Sequence, residues 1–132
     1  MDLVVDASVT ACWFMPDEAH PRAEAAFELA QDGEIVVPRL WWFEMRNLLL
    51  VNERRGRLKP QDSSRIMSAL SELPVAFDDQ HDEKKLVDLA RRRALSVYDA
   101  AYLELAMRRR LGLATLDGRL AEAARSEGAK LI

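Results

Sequence analysis

Four acidic residues lie in or beside apolar runs, where a carboxylate is costly. Asp6 ends LVVD, Glu44 interrupts LWWFEMRNLLLV, Asp99 lies in SVYDAAYL, and Asp117 closely follows LAT. Burying an ionised carboxylate costs several kcal/mol unless a partner compensates it. If the fold gathers the four, we expect Mg²⁺ or Mn²⁺ as that partner, since hard cations prefer oxygen ligands. Such a site suits metal-assisted phosphodiester hydrolysis.

Three of the four acids have an alternative interpretation as helix caps. Asp6 and Asp117 fit turn or N-cap positions, and Ser96 with Asp99 resembles a capping box. Glu44 does not fit a cap, because helical spacing places Leu40, Trp41, Leu48 and Val51 within about 60° of it. The sequence therefore predicts that Glu44 lies near the centre of an apolar arc and needs a partner. Asn47, one turn later, is the expected partner.

The elements that must position these acids alternate between strands and helices. The β-like runs are Leu3 to Val5, Glu34 to Val37, Leu113 to Thr115, and two weaker ones at Val75 to Phe77 and Lys130 to Ile132. Helical spacing covers residues 17–31, 39–55, 61–73, 82–94, 97–110 and 119–127. This alternation predicts an α/β fold with a mainly parallel sheet covered by helices. Ligands of such sheets bind beyond the carboxyl ends of the strands, where Asp6 and Asp117 are expected.

Composition limits the other possibilities. The 132 residues fit one domain, and the net charge of −3 gives no general case for binding nucleic acid. The single Cys12 excludes an internal disulfide and a cysteine zinc site, while His20 and His81 lie in polar sequence. No signal peptide or membrane span is apparent, so we expect a cytoplasmic protein.

Three segments in this order resemble the PIN domain, specifically the VapC-type toxin ribonucleases of bacterial toxin–antitoxin modules. They are VVDASV, VPRLWWFEMRNLLL, and SVYDAAYLELA followed by LATLDGRLAEAA. The resemblance implies one three-layer α/β/α domain over residues 1–132 and a metal-dependent site that cleaves RNA. It also implies a homodimer inhibited by a small VapB-type antitoxin.

Carried over to this chain, the resemblance assigns the catalytic site to the same four acids, Asp6, Glu44, Asp99 and Asp117. Ser8 and Thr115 match small hydroxyl residues that accompany the first and last acids, and Asn47 matches the amide after the glutamate. We expect Asp6, Asp99 and Asp117 to hold one or two Mg²⁺ or Mn²⁺ ions. Glu44 is expected to complete the site or to orient the attacking water.

Basic and aromatic side chains complete the expectations. Arg54 or Arg55 is the candidate for holding the RNA backbone. Trp41, Trp42 and Phe43 are candidates for core or interface contacts, of which the core is favoured because tryptophan is usually buried.

Other classes of protein remain open from the residues alone. A receiver-like phosphoacceptor module would use an aspartate after a central strand, such as Asp78 or Asp79, and a lysine near the C-terminus, such as Lys130. No carboxylate pair adjoins the first strand, which disfavours that reading. A catalytically silent regulator would bind metal only structurally. An aspartate-nucleophile phosphatase is disfavoured because Ser8 stands where a second aspartate is usual.

Overall fold

A four-stranded, all-parallel sheet forms the centre of the protein. The structure is a computed structural model that describes residues 1–132. The strands are β1 Leu3–Val5, β2 Ile35–Pro38, β3 Val75–Asp78 and β4 Gly112–Ala114, in the order β3-β2-β1-β4. Every residue of β1, β2 and β4 is buried, as expected for strands covered on both faces.

Seven α-helices flank this sheet. They are α1 Ala7–Phe14, α2 Pro21–Ala30, α3 Leu40–Arg54, α4 Pro60–Ser71, α5 Glu83–Arg93, α6 Val97–Arg109 and α7 Gly118–Ser126, with a short 3-10 turn at Pro16–Glu18. Helix α1 packs against α2 and α3, whereas α6 packs against β1, β2 and β4 and is covered by α5 and α7. The predicted α/β/α arrangement is therefore confirmed.

Helix α6 is the most deeply buried helix. Its residues from Ala100 to Ala106 are all buried. The run AAYLELA is apolar nearly all round, which fits a helix enclosed between the sheet and two outer helices. This burial fixes the helix whose first turn carries Asp99. None of the helices is long and apolar enough to span a membrane.

The chain departs from the predicted elements in three places. Helix α1 was not predicted, because its short sequence ASVTACWF lacks clear helical spacing; the Asp6 cap and packing against α2 and α3 support it. The helix predicted over 17–31 is divided into a 3-10 turn and α2, which begins after the N-cap His20. The strand predicted at Lys130 to Ile132 is wrong, because only an isolated bridge joins Leu131 to Leu113.

Candidate active site

Asp6 and Asp117 lie at the point where the strand order of the sheet reverses. From β1 the chain adds β2 and β3 on one side and then returns to place β4 on the other. Ligands of open α/β sheets bind at this kind of switch point, beyond the carboxyl ends of the strands. Asp6 directly follows β1, and its backbone N–H donates to the carbonyl of Ala114 at the end of β4 (3.2 Å). Asp117 follows β4 after two intervening residues. The predicted common edge is confirmed.

The Asp6 carboxylate is the centre of a hydrogen-bond network. Its side chain is buried, with 6% of the residue exposed. Oδ1 accepts from the Ser8 hydroxyl at 2.6 Å and from the backbone N–H of Val9 at 3.1 Å. Oδ2 accepts from the Thr115 hydroxyl. Asp6 is thus both the N-cap of α1 and a carboxylate held in one orientation by two hydroxyls.

The same two hydroxyls fasten the loop that carries Asp117. The Ser8 hydroxyl accepts from the N–H of Leu116 at 3.0 Å, and the Thr115 hydroxyl accepts from the N–H of Asp117 at 3.0 Å. Asp117 in turn caps α7 through Oδ1, which accepts from Leu120 N–H at 2.9 Å. Ser8 and Thr115, which were singled out by the family resemblance, therefore connect the first acid to the last.

Glu44 lies at the border of the core and is not at its centre. The buried stripe of α3 runs through Trp41, Met45 and Leu49, whereas Glu44 and Leu48 are only half-buried. The centre of the stripe is thus about 100° from Glu44. The prediction that Glu44 lies near the centre of the apolar arc was wrong, because apolar residues at the border of the core, such as Leu48, were counted as core residues. The need for a partner is nevertheless met.

That partner is Tyr102, which the sequence analysis missed. The phenolic hydroxyl of Tyr102 donates to Glu44 Oε1 at 2.6 Å, and the tyrosine is 1% exposed. The expectation for Asn47 is wrong, because this residue is exposed and makes no hydrogen bond to Glu44. A signal was available: Tyr102 follows Asp99 by three residues and so shares its helix face.

Asp99 lies in the first turn of α6. Its backbone N–H donates to the Ser96 hydroxyl at 3.0 Å, as predicted for the N-cap, and its side chain is half-buried. Burial raises the pKa of Asp99, and the charges of Asp117 and Asp6 raise it further. The positive charge of Arg119 opposes this rise. Arg119 is thus a second residue near the acids that the sequence analysis missed.

Burial and neighbouring acids also shift the pKa values of Asp6 and Glu44. Burial raises the pKa of Asp6 against its hydrogen bonds, and the charge of Asp117 adds to the rise. Burial also raises the pKa of Glu44, where the Tyr102 hydrogen bond opposes the charges of Asp6 and Asp99. The charges of Asp6, Asp99 and Asp117 therefore each affect at least one other acid, across up to 111 positions of sequence, and Glu44 is affected by Asp6 and Asp99. The structure brings all four into one electrostatic site.

The donor chemistry of this site fits a hard divalent cation. The acids supply only oxygen ligands, and burial, with a smaller contribution from the charges of neighbouring acids, raises the pKa of three of them; a nearby cation would oppose both effects. However, no three acidic, histidine or cysteine side chains lie close enough together to form a complete ligand cluster. The acids thus affect one another electrostatically without being a preassembled metal cage.

A groove extends from the site along α1 and α3. Glu44, Asn47 and Arg55 line it, and its volume is ≈ 370 Å³. Arg57 also lines it but is engaged by Asp17 and Glu18. Of the two arginines considered for RNA contact, Arg55 lines the groove and Arg54 does not.

The aromatic cluster of α3 divides between core and surface. Trp41 is 2% exposed, and its Nε1–H donates to Thr10, whose hydroxyl donates to the backbone carbonyl of Asp6. Trp42 and Phe43 are 41% and 63% exposed, so the expectation of the core is wrong for these two.

The features of the receiver alternative have other roles in the structure. Asp78 is buried and forms two hydrogen bonds to Arg108 at 3.0 and 3.1 Å, which hold its pKa below the ordinary value despite burial. Asp79 is exposed and pairs with Arg39. Asp78 is thus neutralised by a cation and lacks the free carboxylate of a phosphoacceptor.

A parallel α/β/α fold with four carboxylates near its switch point defines an acid-based type of site. The family model of the PIN domain matches residues 3–126, and the chain belongs to that family. Ribonuclease VapC3 from Pyrobaculum aerophilum is 38% identical over 125 residues, which cover 92% of this chain and 94% of that protein.

Solved structures agree with this assignment. PAE2754 from Pyrobaculum aerophilum has a TM-score of 0.71 and 26% identity, over 99% of this chain and 83% of its own. FitAcB from Neisseria gonorrhoeae has a TM-score of 0.66 at 16% identity, over 100% and 96% of the two chains. A toxin–antitoxin complex from Klebsiella pneumoniae has a TM-score of 0.60 at 21% identity, over 87% and 86%. The last two show similarity of fold alone.

Proposed function

We propose that this protein is an Mg²⁺- or Mn²⁺-dependent endoribonuclease that acts as the toxin of a VapBC-type toxin–antitoxin pair. The observation that carries the proposal is the gathering of Asp6, Glu44, Asp99 and Asp117 in one field at the switch point of the sheet. The 38% identity to a ribonuclease supports RNA as the substrate. We assign this activity to one domain spanning residues 1–132 and expect the protein in the cytoplasm.

The residues divide the chemistry between them. Asp6, Asp99 and Asp117 would hold the cation, and Ser8 and Thr115 keep the first carboxylate in its orientation. A divalent cation, when bound, supplies the positive charge that activates water and stabilises the attacking and leaving oxygens.

Glu44 acts on the water. Tyr102 occupies one of its carboxylate oxygens, Oε1, and thereby fixes the direction of the other. A carboxylate with a raised pKa is better matched to accepting a proton near neutral pH than an ordinary glutamate is. Glu44 therefore orients the attacking water and takes its proton. Arg55, in the adjoining groove, binds a phosphate of the RNA.

Protein partners account for the exposed apolar surface of α3. Trp42, Phe43 and Leu50 are 41%, 63% and 47% exposed, and the Arg46 guanidinium lies 4.2 Å from the centre of the Trp42 ring. Exposed aromatic and arginine side chains are enriched at protein interfaces. This surface serves homodimerisation, and the cognate antitoxin occupies the groove beside Glu44, where it blocks access of RNA.

The test is to sequence the RNA ends formed after brief expression of the protein, together with cleavage of RNA by purified protein. New ends should appear with the native chain, disappear with Asp6→Ala or Asp99→Asn, and require Mg²⁺ or Mn²⁺ in vitro. Asp79→Ala, which removes an exposed acid outside the site, is the matched control and should retain cleavage.

Two results would contradict the proposal. Full cleavage by a folded Asp6→Ala protein would remove the site from the mechanism. Stabilisation of the partner-free protein by Mg²⁺ without any cleavage would instead support the catalytically silent metal-binding regulator.

A further inference from the structure

The surface formed by α5, α6 and α7 has a charge opposite to that of the whole chain. Three adjoining grooves cross it. The middle groove shares Arg92 with one neighbouring groove, and it shares Met107 and Arg110 with the other. Seven basic and four acidic side chains line these grooves, although the chain has a net charge of −3. We call this surface the basic face; its basic residues other than Arg108 are Lys85, Arg92, Arg93, Arg110, Arg119 and Lys130.

The positive charge of this face is largely free to bind a ligand. Lys85, Arg110, Arg119 and Lys130 are exposed and form no ion pair. Of the acids that line it, Glu104 pairs with Arg108 at 2.7 Å. Lys85, Arg110 and Lys130 are therefore unpaired cations, and Arg119 forms no ion pair although it lies near Asp99.

Glu127 fixes two further arginines in place. It accepts from Arg92 at 2.7 and 3.0 Å and from Arg93 at 2.6 Å. One carboxylate between two guanidinium groups leaves a net positive charge, and the bidentate contact orders the Arg92 side chain before any ligand arrives. The middle of the basic face is thus both cationic and preorganised.

The basic face is continuous with the active site. Arg119 lies in the first turn of α7, two residues after Asp117, and it lines the same groove as Arg92 and Arg93. From there Arg92 leads to a cavity of ≈ 520 Å³, which Lys85 and Arg110 line at the other end of α6. Eleven residues separate Asp99 from Arg110, so the path along α6 is about 16 Å long. That length corresponds to several nucleotides of a single strand.

We propose that the basic face binds the phosphate backbone of the RNA as it leaves the active site. Arg119 contacts the phosphate nearest the acids, and Lys85 and Arg110 contact phosphates farther along the strand. The inference rests on the proposed ribonuclease function and extends it, because it gives one arm of the substrate a defined path. Single-stranded nucleic acid is commonly held in positively charged grooves of this kind.

The test compares RNA oligonucleotides of about 4 and about 16 nucleotides, which bracket ordinary single-strand site sizes. Binding is measured with Asp6→Asn protein whose intact fold is checked by thermal unfolding, and cleavage is measured with protein that has Asp6. Lys85→Gln/Arg110→Asn removes the two distal charges; asparagine suits the left-handed backbone of Arg110, whose φ is 56°. Arg22→Gln/Arg65→Gln, on α2 and α4, is the matched control with the same change in charge.

We expect the distal variant to bind the longer RNA about 5- to 10-fold more weakly at low salt, with its salt-dependence slope reduced by about 1.4 for two lost phosphate contacts. Its kcat on the short RNA should be unchanged, whereas Arg119→Gln should weaken binding of both lengths. Affinity and slope equal to those of the control would overturn the inference. So would binding of an acidic polypeptide, poly-glutamate, that depends on these residues while RNA binding does not. If the protein with Asp6 cleaves neither RNA, the ribonuclease proposal itself fails. The cleavage assay shows this result independently of the binding measurements.

Discussion

Replacing Tyr102 with Phe removes one hydroxyl and leaves the buried ring in place. That hydroxyl donates to Glu44 Oε1 at 2.6 Å, and burial raises the pKa of Tyr102, so it remains a donor at neutral pH. A hydrogen bond to a charged group contributes about 1.5–3 kcal/mol. If about 2 kcal/mol of this orients Glu44 in the transition state, kcat should fall about 30-fold. The pKa of Glu44 should rise as well, because the Tyr102 bond opposes the effect of burial.

The assay is single-turnover cleavage of an RNA oligonucleotide across a range of pH. The acid limb of the rate profile should move to higher pH in Tyr102→Phe, since Glu44 must lose its proton to act as a base. Tyr98→Phe is the matched control: the same hydroxyl is removed from a residue that is 66% exposed and bonds to none of the acids. Thermal unfolding of both variants checks that the fold is intact.

A double-mutant cycle decides whether Tyr102 acts through Glu44. In a Glu44→Gln background the tyrosine has no charged acceptor to orient, so Tyr102→Phe should cost little further activity. Interacting residues give non-additive effects, whereas independent ones add to within about 0.5 kcal/mol. Additive losses, or a kcat for Tyr102→Phe equal to that of the control, would refute this role of Tyr102.

Two further predictions concern residues that hold others in place. Thr115→Val removes the hydroxyl that bonds to Asp6, so affinity for Mg²⁺, measured by calorimetry, should fall about 10- to 100-fold. Glu127→Gln should lower the free energy of unfolding at pH 7 by about 1–2 kcal/mol. The reason is that Arg92 and Arg93 lower the pKa of Glu127 from 4.5 to about 2. The stabilisation is smaller than this shift alone would give, because the half-exposed Arg92 is screened by solvent. A carboxylate whose pKa is lowered by folding stabilises the folded state at pH values above its pKa in the unfolded chain. Urea unfolding should therefore show the difference in stability between Glu127→Gln and the native protein shrinking as pH falls from about 4.5 to 2.

The sheet and most helices could be predicted because local patterns determine them. Short runs such as Leu3–Val5 are apolar throughout, as covered parallel strands must be, and proline or glycine marks the ends of several helices. Helix α1 could not be predicted in this way. Its eight residues have no distinct polar face, so packing against α2 and α3 decides its conformation.

The site was predictable in its residue types and less so in its internal contacts. Glu44 was recognised as needing a partner, but the choice of Asn47 considered only the same helix. The actual donor, Tyr102, lies 58 positions away on α6. A contact across that distance depends on how α3 and α6 sit on the sheet, which residue spacing does not encode. Arg119 was missed for the same reason, since only the fold brings it near Asp99.

Helix capping and ligand binding are compatible roles for the same aspartates. Asp6 and Asp117 each use Oδ1 to accept from the first turn of the helix that follows, α1 or α7. The positive end of a helix dipole favours the negative charge at such positions. The caps thus lower the cost of holding two carboxylates near Asp99 before any cation binds. A protein with this arrangement can fold with its acidic site formed, and the proposed cation would then relieve the repulsion that the caps only reduce.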